Sequence, residues 1–298
     1  MLMFGLMMLG LVCKAQGGAP FEGEIVYETY ENYSDYLKKM PNSIYFDGVH
    51  KIRLIVKGTK MHMIDETTQC HIIADDAAPV VSNKRGKKQE SNETAASYVH
   101  FCDLTKTGMD FGKNIDMMRV LVNRDLDYPG GQKAKLKTNT FAKTETKKTI
   151  LDKSCQLYEG RFVREMGGMD QTYDLKAYVS DIPAPSGYLW NLWGLDVPGI
   201  ALKWIQKYDG GHVSVMSVGE LSFYIEADVT EIKPRPVSDD EFTIPADYKI
   251  STGAKNAFAL LKYYGAVKKQ LVAKGIKGGD NSQKKSGVHY KTNDEWDF

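Results

Sequence analysis

The 298-residue chain carries 39 Lys+Arg against 38 Asp+Glu, with 42% hydrophobic and 11% aromatic residues. That balance lacks the basic excess a general nucleic-acid binder needs, and the aromatic content excludes a wholly disordered chain. Four Cys at this length do not make a disulfide-stapled scaffold, so a globular protein with a sizeable core is expected.

Met1 to Val12 is an uncharged apolar run, too short to cross a bilayer but suited to the apolar region of a signal peptide. Cys13 and Ala15 put small residues three and one positions before a cut at Ala15/Gln16. Residues 1–15 therefore read as a cleaved leader, and the protein as periplasmic or otherwise exported. No Lys or Arg precedes the run. Cys13 also suits acylation as a lipoprotein, but the bulky Val12 before it and Gly10 at the usual Leu position weigh against that.

From Phe21 onward the pattern has period two, the mark of half-buried strands. Glu24–Tyr30 alternates polar with apolar or aromatic residues. Ser43–Phe46 and Lys51–Val56 flank Asp47-Gly48, a hairpin-type turn signal. Lys57-Gly58-Thr59 turns the chain into Lys60–Glu66, and Gln69–Ala74 follows. Strand-like runs continue at Ser97–Cys102, Met117–Val122, Thr149–Glu159, Thr172–Ser180, Ile200–Ile205, His212–Val218 and Leu221–Ile232. Between them, residues 79–96 read as a polar loop, since Asn83–Asn92 holds no apolar side chain. Its basic cluster would suit an anionic partner, though a solvated loop tip is the simpler explanation.

The last stretches differ. Residues 251–277 read as a basic amphipathic helix, with Phe258, Leu261, Tyr264, Val267 and Leu271 on one face. Lys255, Lys262, Lys268, Lys269 and Lys274 line the other. Such a helix docks on its own domain or lies on an anionic membrane surface, the first being commoner. Residues 278–298 form a polar tail without periodicity. The expectation is one mainly β (α+β) domain over residues 16–250, with the helix and tail appended.

Four segments carry a family likeness: Lys147–Tyr158 (KKTILDKSCQLY), Ala177–Pro183 (AYVSDIP), Gly194–Ile200 (GLDVPGI) and Val237–Tyr248 (VSDDEFTIPADY). In order and spacing they resemble an exported bacterial family of unknown function, and the related family named for its Gly-Leu-Pro-Gly-Leu-Ile (GLPGLI) motif. Asp196 is inserted in the Gly-Leu-Pro-Gly core, and Asp152-Lys153 stands where Gly-Tyr is expected. The resemblance implies a cell-envelope protein with the lipoprotein-carrier (LolA/LolB-like) fold. That is a strongly curved antiparallel sheet, an incomplete β-barrel, with a few helices and an apolar cavity on its concave face. It brings no catalytic residues and no cofactor.

The most informative segment for binding is Asp181–Leu195. Two prolines stop a strand, and Tyr188, Trp190, Leu192, Trp193 and Leu195 then present large apolar surface. Trp joins a large apolar body to a polar N–H, which suits the mouth of a lipid or hydrophobic-ligand pocket. Capping the domain's own core is the simpler use of the same residues. Cys70-His71 and His100-Phe101-Cys102 form the one metal-like constellation. Alternation sends Cys70 and His71 to opposite faces and keeps His100 with Cys102, so four ligands cannot converge, and no metal is expected. In an oxidising compartment Cys70 and Cys102 suit a disulfide; otherwise they are buried thiols. His62 and His212, in strand patterns, read as structural histidines. Nucleophile-elbow, zincin, phosphate-loop and dinucleotide motifs are absent, so a non-enzymatic protein is expected, with a lipid or an envelope surface as partner.

Overall fold

The computed structural model describes residues 21–34, 47–84, 87–110, 134–166, 169–184, 197–212, 220–252 and 257–276. Among them the strands are β1 (Glu22–Tyr33), β2 (Gly48–Lys57), β3 (Lys60–Asp65), β4 (Cys70–Lys84), β5 (Lys87–Cys102) and β6 (Thr107–Asp110). They continue as β7 (Ala134–Asn139), β8 (Ala142–Ile150), β9 (Lys153–Met166), β10 (Met169–Pro183), β11 (Gly199–His212), β12 (Glu220–Pro234) and β13 (Lys249–Thr252). The one described α-helix is α1 (Ala257–Ala273). All join one 13-stranded sheet in the order β13-β6-β5-β4-β3-β2-β1-β12-β11-β10-β9-β7, with β8 beside β7 along β9. The protein is thus mainly β, and its sheet is open rather than closed into a barrel. It is also mixed: β13 runs parallel to β6, where an antiparallel sheet was expected. Residues 235–248 carry the chain from β12 to the β6 edge, where β13 adds in the direction of β6.

Residues directly opposite in a ladder share a face, so the register sorts the side chains. One row of the front face runs Ile25, Leu54, Met63, Ile72, His100, Met109 across β1 to β6. The next holds Tyr27, Ile52, Asp65, Cys70, Cys102 and Thr107. On the back, the rows are Glu24, Ile55, His62, Ile73, Val99 and Val26, Arg53, Ile64, His71, Phe101. The front face is the core. Leu54, Met61, Tyr173, Leu175, Ile200 and Leu202 join a single buried cluster that includes Tyr263, Val267 and Leu271 of α1.

The helix docks as its apolar stripe requires, with Val267 and Leu271 at 0% exposure and Lys262, Lys269 and Lys274 outward. Tyr264 is half-buried, and Tyr263, outside the predicted stripe, is buried as well. The side chains of Phe258 and Leu261 lie outside the described residues. Ser251 and Thr252 belong to β13, so the helix begins later than periodicity suggests. The β6 edge offers hydrogen bonds there that an isolated first helical turn lacks.

Three further expectations are corrected. The polar loop expected at 79–96 is a β-hairpin, paired to Lys84↔Lys87. Ladder pairing is a main-chain interaction and does not need the apolar side chains whose absence suggested a loop. Asp47-Gly48 is no hairpin turn; Gly48 opens β2, and the Asp47 carboxylate accepts the Tyr33 N–H at 2.8 Å. The run Thr149–Glu159 is broken by a turn at Leu151 and Asp152, with φ of 44° and 62°. Two successive positive φ values match the right-handed twist of a hairpin, so the chain reverses without glycine. Ser43–Phe46, Met117–Val122 and residues 213–218 lie outside the described residues.

On the far edge, Gly160 of β9 explains why β7 and β8 are separate strands. Its φ is 152°, and a Cβ there would sit 2.4 Å from the Thr140 carbonyl oxygen. The chain between β7 and β8 presses against this gap, with Thr140 N–H bonded to the Arg161 carbonyl at 2.8 Å.

Candidate functional site

Tyr188, Trp190, Leu192, Trp193 and Leu195 lie outside the described residues. Their flanks do not: Ile182 and Val197, 5% and 4% exposed, belong to the buried cluster, and Ala184 packs against it. The segment thus leaves and re-enters the structure at the front face. Toward the opposite ends of β10 and β11, an aromatic ladder crosses β9, β10, β11, β12 and β1. Phe162 faces Tyr173 at 4.9 Å between ring centroids, Tyr173 faces Tyr208 at 4.7 Å, and Tyr208 faces Phe223 at 4.9 Å. Phe223 then meets Tyr33 at 5.9 Å. Each contact is a directly opposed cross-strand pair, the geometry in which rings stabilise a sheet most.

The ladder ends on a buried polar cluster. The Tyr33 hydroxyl donates to Glu31 at 2.5 Å, and the half-buried Glu31 carboxyl is pushed above its usual value by desolvation. His50, 3% exposed, lies 3.4 Å from Asp65. Burial would push Asp65 up, yet hydrogen bonds from His50 and Thr68 outweigh it and hold the group low. The next front-face neighbours are Cys70 and Cys102, opposed in register and both thiols here.

On the back face, residues 235–248 form a strap. Arg235 clasps Glu241 at 2.6 and 2.8 Å and reaches Glu24 at 3.4 Å, while Lys57 and Lys60 hold Asp239 at 3.3 and 2.9 Å. Ser238 and Glu241 form a capping box over the short 3-10 turn Asp239–Phe242. Under the strap lies a line of titratable groups. His62 Nδ1 donates to the Glu241 carbonyl at 2.6 Å, and His62 Nε2 is 3.0 Å from His71 Nδ1. His71 Nε2 lies 3.2 Å from Asp103, which accepts the Tyr248 hydroxyl at 2.5 Å; Lys106 donates to that hydroxyl at 2.8 Å.

The carbonyl fixes the proton order along this line. It can only accept, so neutral His62 carries its proton on Nδ1 and offers a lone pair at Nε2. His71 must then donate from Nδ1, leaving its Nε2 bare against a carboxylate. That nitrogen is buried and, among the described residues, makes no hydrogen bond. Burial pushes His71 down, with Asp103 opposing, and holds His62 at about 4, so both are neutral near pH 7. The array therefore holds one proton fewer than its polar contacts could use. His62 is satisfied on both nitrogens, as a structural histidine should be. His212 closes β11, and its side chain is not among those described.

Cys70 and His71 fall on opposite faces, and His100 shares one with Cys102. Among the described residues no group of three or more His, Cys, Asp or Glu is arranged to hold a metal ion. What sequence reading missed is the pairing of His62 with His71 and the strap above them. Period two placed each histidine on a strand, but only the register Ile64↔His71 sets them on the same face of adjacent strands.

These features define a mainly β protein on one open sheet, whose front carries the large buried cluster with its aromatic ladder and whose strapped back sets buried Val26, Ile55, Ile73 and Phe101 among titratable groups. No family model and no curated protein matches the chain. Among solved structures, the "Structure of PNGF-II in C2 space group" is similar at 12% identity, over 80% of this chain, with a TM-score of 0.35. This chain spans 33% of that one. At that score the likeness carries no argument about fold or function. No described helix is long and apolar enough to cross a membrane.

Proposed function

We propose that this is an exported, non-catalytic protein of the cell envelope that binds a lipid, an acyl chain or another apolar ligand. In this reading the chain is kin to the exported family it resembles, and its open sheet is a carrier-like half-barrel. The observation that supports it is the front face: an apolar, aromatic surface to which both flanks of the Trp-rich segment 185–196 are anchored. Tyr188, Trp190 and Trp193 then form the mouth, with Leu192 and Leu195 behind. Each buried CH₂ of an acyl chain contributes about 0.8 kcal/mol, so eight carbons supply about 6 kcal/mol before association costs.

A second reading is favoured by α1. It fills part of the front face with the chain's own Tyr263, Val267 and Leu271 and turns Lys262, Lys269 and Lys274 outward. The protein is then an envelope interaction module whose Lys-rich helix meets an anionic membrane or protein surface. Organic extraction of the purified protein and titration with a fluorescent fatty acid separate the two. Ligand binding requires saturable uptake that Trp190→Ala weakens at least tenfold. No extractable lipid and no uptake leave the interaction module, tested by salt-sensitive binding to anionic vesicles that Lys262→Glu/Lys269→Glu abolishes.

A further inference from the structure

The turn after β5 closes against the turn before β4: the Asp103 N–H donates to the Gln69 carbonyl at 3.0 Å. Hydrogen-bonded and non-hydrogen-bonded pairs alternate along an antiparallel ladder. The next pair inward, Cys70↔Cys102, is therefore a non-hydrogen-bonded one. There facing Cα atoms stand about 4.5 Å apart, inside the range of about 4.4–6.8 Å that disulfides span. Both side chains lie on the front face, 6% and 0% exposed. Cys155 sits on β9, with six strands between it and β4 in the sheet order.

The two sulfurs are not equivalent. The Cys70 thiol donates to the Thr68 carbonyl at 3.7 Å, while Cys102, with the Cys70 sulfur and the Leu104 and Thr105 backbone N–H groups beside it, is held below its usual value, at about 7. Cys70 is pushed up by the neighbouring sulfur and by burial. Above them lies α1. The Tyr263 phenol is raised by burial and by both sulfurs, and its hydroxyl has no hydrogen-bond partner among the described residues. Once α1 docks, neither thiol is open to a bulky oxidant or reductant.

We propose that Cys70 and Cys102 are joined by a cross-strand disulfide formed while the protein folds outside the cytoplasm, with Cys102 as the attacking sulfur. The oxidant is a disulfide, on a small molecule or a protein. The Cys102 thiolate attacks one of its sulfurs and expels a thiolate, giving a mixed disulfide. Cys70, losing its proton to solvent before α1 covers it, attacks the Cys102 sulfur and expels the second thiolate. The pair loses two protons and two electrons, and the oxidant becomes two thiols. Docking of α1 then seals the bond. The place of formation rests on the export reading; the pairing rests on the ladder alone.

Two experiments keep these apart. The full chain, reduced and unfolded, is refolded in a glutathione/glutathione-disulfide buffer and mapped by non-reducing peptide mass spectrometry. The expected product links Cys70 to Cys102, leaves Cys155 alkylatable, and unfolds with an equilibrium constant about a hundredfold below that of the reduced wild type. Persistently free Cys70 and Cys102, or a bond to Cys155, overturns the pairing. In the second experiment, protein taken from cells with thiols trapped at lysis is mapped in the same way. A Cys70–Cys102 bond supports formation outside the cytoplasm. Free thiols there, after successful pairing in vitro, overturn the compartment and with it the export reading, but not the geometry.

Discussion

Glu24 ties the back of the sheet to the strap, and its removal should be felt in proportion to its charge. Its side chain is 8% exposed, takes Nε and Nη2 of Arg53 at 2.9 Å each, and meets Arg235 at 3.4 Å. The hydrogen bonds from Arg53 outweigh the burial and hold the carboxyl at about 2 rather than 4.5. A folded-state value below the unfolded one means stabilisation that is complete above about pH 4.5 and is lost as the pH falls toward 2. The shift corresponds to roughly 3 kcal/mol at about 1.4 kcal/mol per pH unit. The two arginine side chains are 31% and 32% exposed, so water replaces part of what they lose. For Glu24→Gln we therefore expect a loss of about 2 kcal/mol near pH 7, shrinking below about 0.5 kcal/mol near pH 2. Urea unfolding followed by tryptophan fluorescence at the two pH values measures it. An equal loss at both would show that shape rather than charge is at stake. No loss at either would mean the strap does not depend on this network.

His62 and His100, 9% and 6% exposed, are each held at about 4 against 6.5 by burial. The unfolded chain takes up these protons first, so stability should fall from about pH 6.5 down to 4, by about 3 kcal/mol per histidine. His100→Phe should remove about half of that fall in a pH series of unfolding curves; an unchanged slope would place the titration elsewhere. Leu151 occupies a left-handed turn position at φ 44° while 46% exposed, so it bears strain with little burial in return. Leu151→Asn should stabilise by about 1 kcal/mol, and a lowered thermal midpoint would contradict the turn assignment. A Cβ on Gly199 would lie 2.0 Å from the Ser180 carbonyl oxygen, so Gly199→Ala should cost at least about 2 kcal/mol by calorimetry. Wild-type stability there would mean that β10 and β11 do not approach so closely.

Strands were the most legible part of the chain. Alternation placed β1, β2, β3 and β10 within a few residues because side chains of different polarity alternate along each; in β10 burial alternates with them, whereas β1 is buried on both faces. It failed where main-chain pairing does not depend on side-chain polarity, as in the hairpin through Lys84 and Lys87. It failed again where a turn uses Leu151 and Asp152 instead of glycine. The candidate site divides in the same way. Cys70 and Cys102 were recognisable as a pair of residue types, and alternation put His71 opposite them. Nothing local to His62 or His71 marks them as partners nine residues apart, because that contact depends on the register of β3 against β4.

By itself the sequence determined the periodicity of the strands, the apolar stripe of α1 and the turn residues between several of them. These follow from each segment's own need to bury one face and satisfy its backbone. The tertiary structure alone decided which strands are neighbours, that the sheet stays open, and that residues 235–248 cross its back before β13 joins β6 in parallel. Such choices depend on long-range contacts, where Glu24 meets Arg235 and His62 meets the Glu241 carbonyl across some two hundred residues of chain. A local pattern records what a segment must bury, but not against what.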